Sequence, residues 1–331
     1  MKSSLIELRQ LAVDVLLKSK TSASNAADVS DALVAAEACG IPSHGLSRLP
    51  FYADQAISGK VNGRAVPQVT QRAKSVVNVD AANGFAFPAI RRGIDASLNR
   101  THSTGICGVG IQRSHHAGVL GHHVERAGNA GLLALGFSNS PAAMAPWGGS
   151  VGSFGTNPIA FACPRENEFP LVIDLSLSAV ARGKVVQAKA KGESIPLGWA
   201  RDANGEATTD PSSALQGTME PLGGAKGAAL AFMVEILAAG LTGSNLAFQA
   251  SSFFDSEGDS PGIGQFFVLI DPAKFSSSFN ENVHALIEHV LAQPGTRLPG
   301  ASRFEKMDQA RADGIEIPDA LYQDLSERVG C

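Results

Sequence analysis

At 331 residues, with 44% hydrophobic and 18% charged side chains, the chain has the composition of an ordinary folded protein and can bury one large core or two. A formal net charge of −4 without basic runs gives no electrostatic case for nucleic acid or an anionic membrane surface, and no stretch is long and apolar enough to span a bilayer. Cys39, Cys107, Cys163 and Cys331 are scattered without a C-x-x-C pair, which argues against a disulfide framework or zinc knuckle and for a reduced, cytoplasmic protein.

Ser4-Leu5-Ile6-Glu7 has the form of a capping box, and Leu5, Leu8, Val13, Leu16 and Leu17 follow helical spacing, so a first helix is predicted to end near Lys20. A second runs from Ser24 to Gly40, and a third from Leu49 to Ser58. Between them the Gly40–Pro50 loop carries Ser43, His44, Ser47 and Arg48, braced by Gly40 as a helix terminator and by Pro50 in the next first turn. A histidine beside a hydroxyl can pass a proton near neutral pH, and an arginine fork suits a substrate carboxylate. The plainer alternative is a surface or structural histidine, the commoner fate of a lone one in a loop.

Near Ser75 the pattern changes. Val76–Val79, Ile106–Ile111, Leu132–Phe137, Ile159–Ala162, Leu171–Leu175 and Phe266–Ile270 read as strands of a buried sheet, with helices over Pro88–Leu98, Val119–Ala130, Ala179–Ala190 and Ala225–Gly240. Thirty-five glycines fit the tight turns of an α/β enzyme that wraps a cofactor. The polar stretch Lys191–Gly224 reads as a long functional or mobile loop, and helices return from Asn280. The organisation predicted is a helical segment 1–74, an α/β unit 75–275, and a helical segment 276–331 that packs on the first.

The dinucleotide fingerprint G-x-G-x-x-G is missing: Arg113 follows Gly108 and Gly110 at the third position, and Phe267 follows Gly262 and Gly264. Gly148-Gly149-Ser150-Val151-Gly152 matches the serine-hydrolase pentapeptide, but no helix can follow Ser150 where Gly155 and Pro158 stand. His115, His116, His122 and His123 lack the i, i+4 spacing of helical zinc ligands, so no metal site is predicted. Ser114-His115-His116-Ala117-Gly118 instead joins a strand to a helix start, where free N–H groups favour a phosphate. Asp174 at the mouth of a buried strand can orient a histidine, bind a ribose hydroxyl or cap a helix. Lys226 opposes the dipole in the first turn of its helix, which a cofactor phosphate would explain.

Seven motifs, in order, resemble the malate/L-lactate dehydrogenase family that lacks a Rossmann domain. They are Ser43-His44-Gly45-Leu46-Ser47-Arg48, His116-x-Gly118, Pro146-Trp147-Gly148-Gly149, Gly155-Thr156-Asn157-Pro158, Asp174-Leu175-Ser176, Gly223-Gly224-Ala225-Lys226-Gly227 and Leu298-Pro299-Gly300. The branch that the chain resembles most is the Δ1-piperideine-2-carboxylate/Δ1-pyrroline-2-carboxylate reductases, with a 2-hydroxy-acid dehydrogenase as the alternative and a hydrolase acting through Ser150 as a remote one. The resemblance implies a non-Rossmann α/β fold, a homodimer, and NADPH or NADH reducing a cyclic imino acid. It implies His44 as proton donor with Ser43 as relay and Asp174 beside them, and Arg48, Thr156, Arg182 and Gly183 around the substrate. For the cofactor it implies His116, Ala117, Gly118, Val119, Leu120, Asp174, Leu175, Ser176, Lys226 and Arg303. His115 stands where many relatives have asparagine.

Overall fold

The computed structural model describes residues 1–330. A short strand, β1 (Lys2–Ser3), leads into α1 (Leu5–Lys18), which opens on a complete capping box: Ser4 Oγ accepts the Glu7 N–H, and Glu7 accepts the Ser4 N–H at 2.8 Å. Next come α2 (Ala23–Ala38), capped by Ser22, and α3 (Leu49–Ser58), with Pro50 in its first turn. Leu8, Val15 and Leu16 of α1 are fully buried against Leu33, Leu49 and Tyr52, each worth about 1.5–3 kcal/mol. Ile317 and Leu325 from the end of the chain join the same core.

The central elements are β2 (Gln68–Ala73), β3 (Val76–Asp80), α4 (Ala86–Thr104), β4 (Ile106–Ser114), α5 (Leu120–Asn129), β5 (Leu133–Ser138), β6 (Ile159–Cys163) and β7 (Leu171–Leu175). They are followed by α6 (Arg182–Lys191), β8 (Ala200–Arg201), α7 (Pro211–Gln216), β9 (Thr218–Met219), α8 (Ala225–Glu235) and β10 (Ile263–Ile270). Seven strands form one sheet in the order β2-β3-β4-β10-β5-β6-β7. Only β3 and β4, joined through α4, run parallel; every other neighbouring pair is antiparallel. Both faces are covered, which is why the strands lack polar alternation: Phe267 packs with Val109, Ile90 and Leu120, whereas Phe266 faces Phe137, Ala231 and Val234.

The last segment comprises α9 (Phe279–Leu291), α10 (Ala301–Asp313), β11 (Ile315–Glu316) and α11 (Asp319–Val329). β11 pairs with β1, and α11 lies on α1. Three sequence expectations shift. The polar 191–224 stretch holds β8, α7 and β9; Asp210 caps α7 by accepting the Ser212 and Ser213 N–H groups. α6 starts at Arg182 because Ser178 bridges to Pro221 first. α8 gives way at Ile236 to a π turn, Ile236–Gly240.

Candidate active site

The Gly40–Pro50 loop is two 3-10 turns, Pro42–His44 and Leu46–Arg48, and its anchor is Glu37 in the last turn of α2. The Glu37 carboxylate accepts the Leu46 N–H at 2.8 Å, and a Cβ on Gly45 would stand 2.1 Å from the same oxygen, so only glycine lets the loop close over it. Burial pushes the Glu37 carboxyl up, against the lowering effect of the Leu46 N–H. The loop thereby presents Ser43 Oγ at 3.0 Å from His44 Nδ1 and leaves Nε2 of that ring free for a reacting group. Burial, helped by the positive charge of Arg48, lowers the His44 pKa to about 4.

Arg48 is 9% exposed, yet no acidic side chain among the described residues pairs with it. Its Nε donates to Ser43 O at 2.7 Å, its Cζ lies 4.6 Å from the centre of the Phe254 ring, and its buried Nη1 has no partner among the described residues. A buried guanidinium with an idle fork is costly unless an anion completes it. The loop that supplies Phe254 is held down by Gln55, whose Nε2 donates to the carbonyls of Phe253 and Asp255, and by the Lys60–Asp255 ion pair.

His116 joins this cluster. Its ring centroid is 5.4 Å from that of His44, and its Nδ1 lies 2.6 Å from the Tyr52 hydroxyl. Gly183 places the start of α6 on the same loop, since a Cβ there would touch Ser43 Cβ at 3.3 Å. Arg182, next to it, donates to Leu215 O and also lacks an acidic partner; burial lowers its pKa. Ser43, His44, Arg48, His116 and the Arg182-Gly183 pair are therefore brought together.

A second group lies at the start of α5. The N–H groups of Ala117, Gly118 and Val119 donate to nothing among the described residues, as a phosphate-binding turn requires. Gly118 has φ 66°, and a Cβ there would meet Phe87 at 2.9 Å. The Gly121 N–H, however, is taken by Asp174 at 2.7 Å. Asp174 lies deep in the fold yet open to solvent, as a cleft residue does; surrounding protein raises its carboxyl and the Gly121 bond opposes that. Its bond is to the first turn of α5, with none to His44 or Ser43, so it caps that helix and makes no relay contact with the histidine. Leu120 heads α5 as a buried core residue, so its main chain is the part that can face a ligand.

Thr156, Leu175 and Ser176 form a third group: Thr156 O accepts from the Leu177 N–H at 2.9 Å and lies 3.4 Å from Ser176 Oγ, and Leu175 is the exposed end of β7. Lys226 is exposed in the first turn of α8, whose Gly224 lies against Trp147. Arg303 is already paired with Glu125 of α5, and both line a cavity of about 660 Å³ with Val119, His122 and Cys39, to which His44 and Arg48 do not contribute. Ser150 sits in an exposed loop with no helix after it.

Four functional neighbours escaped the sequence reading. Tyr52, Gln55 and Phe253 are conveyed by three-dimensional packing alone. Glu235 had a signal, the single carboxylate at the end of a helix that is apolar from Gly227 to Val234. It accepts from Asn139, Asn157 and the Ala247 N–H, and so ties the Gly155–Pro158 turn to α8.

The malate/L-lactate dehydrogenase family model matches residues 4–326. The chain is 51% identical over 294 residues to a (2R)-3-sulfolactate dehydrogenase (NADP(+)) of Chromohalobacter salexigens, covering 89% of this chain and 88% of that one. It is 39% identical over 328 residues to a Δ1-pyrroline-2-carboxylate/Δ1-piperideine-2-carboxylate reductase of Pseudomonas aeruginosa, covering 98% of each. The solved Δ1-piperideine-2-carboxylate reductase of Pseudomonas syringae pv. tomato superposes with a TM-score of 0.94 at 36% identity, over 99% of both chains.

Proposed function

The chain belongs to the malate/L-lactate dehydrogenase family of oxidoreductases, and from that premise we propose that it reduces cyclic 2-imino acids, Δ1-pyrroline-2-carboxylate and Δ1-piperideine-2-carboxylate, with NADPH or NADH. The observation that carries the reading is Arg48: a buried, unpaired guanidinium beside an imidazole is what a substrate with a carboxylate next to its reacting carbon needs. The substrate carboxylate takes the idle fork of Arg48, which fixes the adjacent C=N carbon against the cofactor face. When bound, the dihydronicotinamide supplies the hydride that reaches that carbon. His44 delivers the proton to the nitrogen through its free Nε2, and Ser43 Oγ holds Nδ1 so that the ring keeps its orientation. Phe254 covers one side of the Arg48 guanidinium and Phe253 packs on the His116 ring, which gives the site an apolar wall.

The free N–H groups of Ala117, Gly118 and Val119 hold the cofactor phosphates, and Lys226 supplies a cation. Arg303, already neutralised in part by Glu125, serves the extra phosphate of NADPH only by exchanging that partner. Leu230, Met233 and Ile236 on α8 and its π turn form an apolar face open to solvent, and it is the surface we assign to a homodimer contact. Light scattering at about twice the 34.2 kDa of one chain is the expected result.

A second reading is a 2-hydroxy-acid dehydrogenase whose substrate carries a further anion, such as sulfolactate. The 51% relative favours it with the higher identity, and Arg182 favours it as a second arginine without an acidic partner. The two readings share every catalytic group and differ in the pocket. Initial rates with Δ1-pyrroline-2-carboxylate, Δ1-piperideine-2-carboxylate, 3-sulfopyruvate and oxaloacetate, each with NADPH and NADH, separate them. Faster turnover of the cyclic imines supports the first reading, and a preference for the dianionic keto acids, lost in Arg182→Gln, supports the second.

A further inference from the structure

Tyr52 is fully buried in the helical core, and its hydroxyl reaches one polar partner, Nδ1 of His116, at 2.6 Å. No other acceptor competes for its proton among the described residues. A buried phenol with a single partner donates to it, because donating is the only way the hydroxyl hydrogen is satisfied. A ring nitrogen that accepts carries no proton, so the other nitrogen carries it. We propose that Tyr52 is a positioning residue for the active site: it locks His116 in the Nε2–H form and turns that ring into a fixed hydrogen-bond donor beside His44, aimed at the bound acid. The proposal rests on the reductase reading for the donor's purpose, while the tautomer itself does not depend on it.

Three further features support the assignment. Burial raises the Tyr52 pKa, so the phenol keeps its proton, and burial next to Arg48 and His44 holds the His116 pKa well below 6.5, so that ring is neutral. The ring is also boxed in, with Phe253 at 4.9 Å and the Tyr52 ring at 6.2 Å between centroids, and so cannot flip freely. Unlike both nitrogens of its neighbour His115, which are buried and unpartnered, Nε2 of His116 is not sealed off, and the residue is partly exposed. Two imidazoles with different tasks result. His44, whose Nδ1 meets a hydroxyl that can either give or take, is free to change protonation state, and His116 is held in one.

The test is the imidazole nitrogen spectrum of the uniformly ¹⁵N-labelled full chain, with the His116 signals identified by their loss in His116→Ala. The expected spectrum shows His116 as a pure Nε2–H tautomer. In Tyr52→Phe, which keeps the ring and loses only the hydroxyl, His116 becomes a mixture of both tautomers. Turnover falls about tenfold, as loss of a bond that orients a functional imidazole does, with cofactor affinity unchanged. An Nδ1–H signal in the parent protein would overturn the proposal outright and needs no variant to fold. A pure Nε2–H signal that persists in Tyr52→Phe, with unchanged turnover, would overturn it as well. Failure of the reductase reading shows differently, as no hydride transfer in either protein while the tautomer is still locked.

Discussion

Arg48 and His44 depend on each other through charge. The guanidinium helps to keep the imidazole neutral, and a substrate anion on Arg48 screens that charge and makes the imidazolium easier to form. His44→Ala is expected to lower turnover by roughly 10²–10⁴-fold with cofactor titration unchanged. The sign of the pH dependence follows. With a pKa lowered to about 4, His44 of the free protein is neutral at pH 7, so kcat/KM for reducing a 2-keto acid, which brings no proton of its own, rises about tenfold per unit as pH falls from 8 toward 4. The reverse oxidation, which needs the neutral ring, stays level across that range. A flat reductive profile places the proton donor elsewhere. Arg48→Lys keeps the charge but loses the fork, so the KM for carboxylated substrates rises while kcat changes less; an unchanged KM moves the anchor to Arg182.

At the scale of elements, the Gly40–Pro50 loop was legible because its flanks are punctuated: Gly40, Pro50 and Gly59 bracket it, and α3 runs over the expected Leu49–Ser58. The β2 strand was not, since all six of its residues, Val69 and Ala73 included, are exposed and bury no side chain that a pattern could reveal. The α7 helix was readable in principle from Asp210-Pro211, a cap followed by a proline, but it lies inside a polar stretch that reads as loop. Asp174 was read correctly as a residue at a strand mouth. Which neighbour it meets, α5 and not His44, is decided by where β7 lies in the sheet, and no local spacing encodes that. The α8 helix yields a prediction of its own. Lys226→Ala weakens cofactor binding more than substrate binding, and Arg303→Ala costs NADPH more than NADH. Titration of both cofactors against the parent and the two variants checks this, and equal affinities throughout would remove both residues from the cofactor site.

The whole molecule buries an unusual set of neutral histidines where its helical and α/β cores meet. Burial lowers His44 and His122 to about 4, His115 and His123 to about 3, and His116 well below 6.5. A histidine with a depressed folded pKa contributes full stability above its unfolded value near 6.5 and loses it as pH falls toward the folded value, at about 1.4 kcal/mol per pH unit for each group. The chain is therefore expected to lose stability steeply between pH 6.5 and 4. Urea midpoints across that window should flatten by one histidine's share in His115→Gln, and an identical slope in the variant would show that His115 does not titrate on unfolding. The fold class and the order of motifs were readable at this scale because each motif is local. The antiparallel insertion of β10 between β4 and β5, which joins residues more than a hundred positions apart, was not.

The central claim is that a hydride from the nicotinamide ring arrives at the carbon bearing the substrate carboxylate, with the proton supplied by the protein. It is tested most directly by running the reaction with NADPH deuterated at the transferring position of the ring and reading the product by mass and proton NMR. One deuterium on the carbon next to the carboxylate, and none on nitrogen or oxygen after work-up in ordinary water, is the predicted result. Product without deuterium at that carbon, or no turnover of any cyclic imino or 2-keto acid with either cofactor, would contradict it.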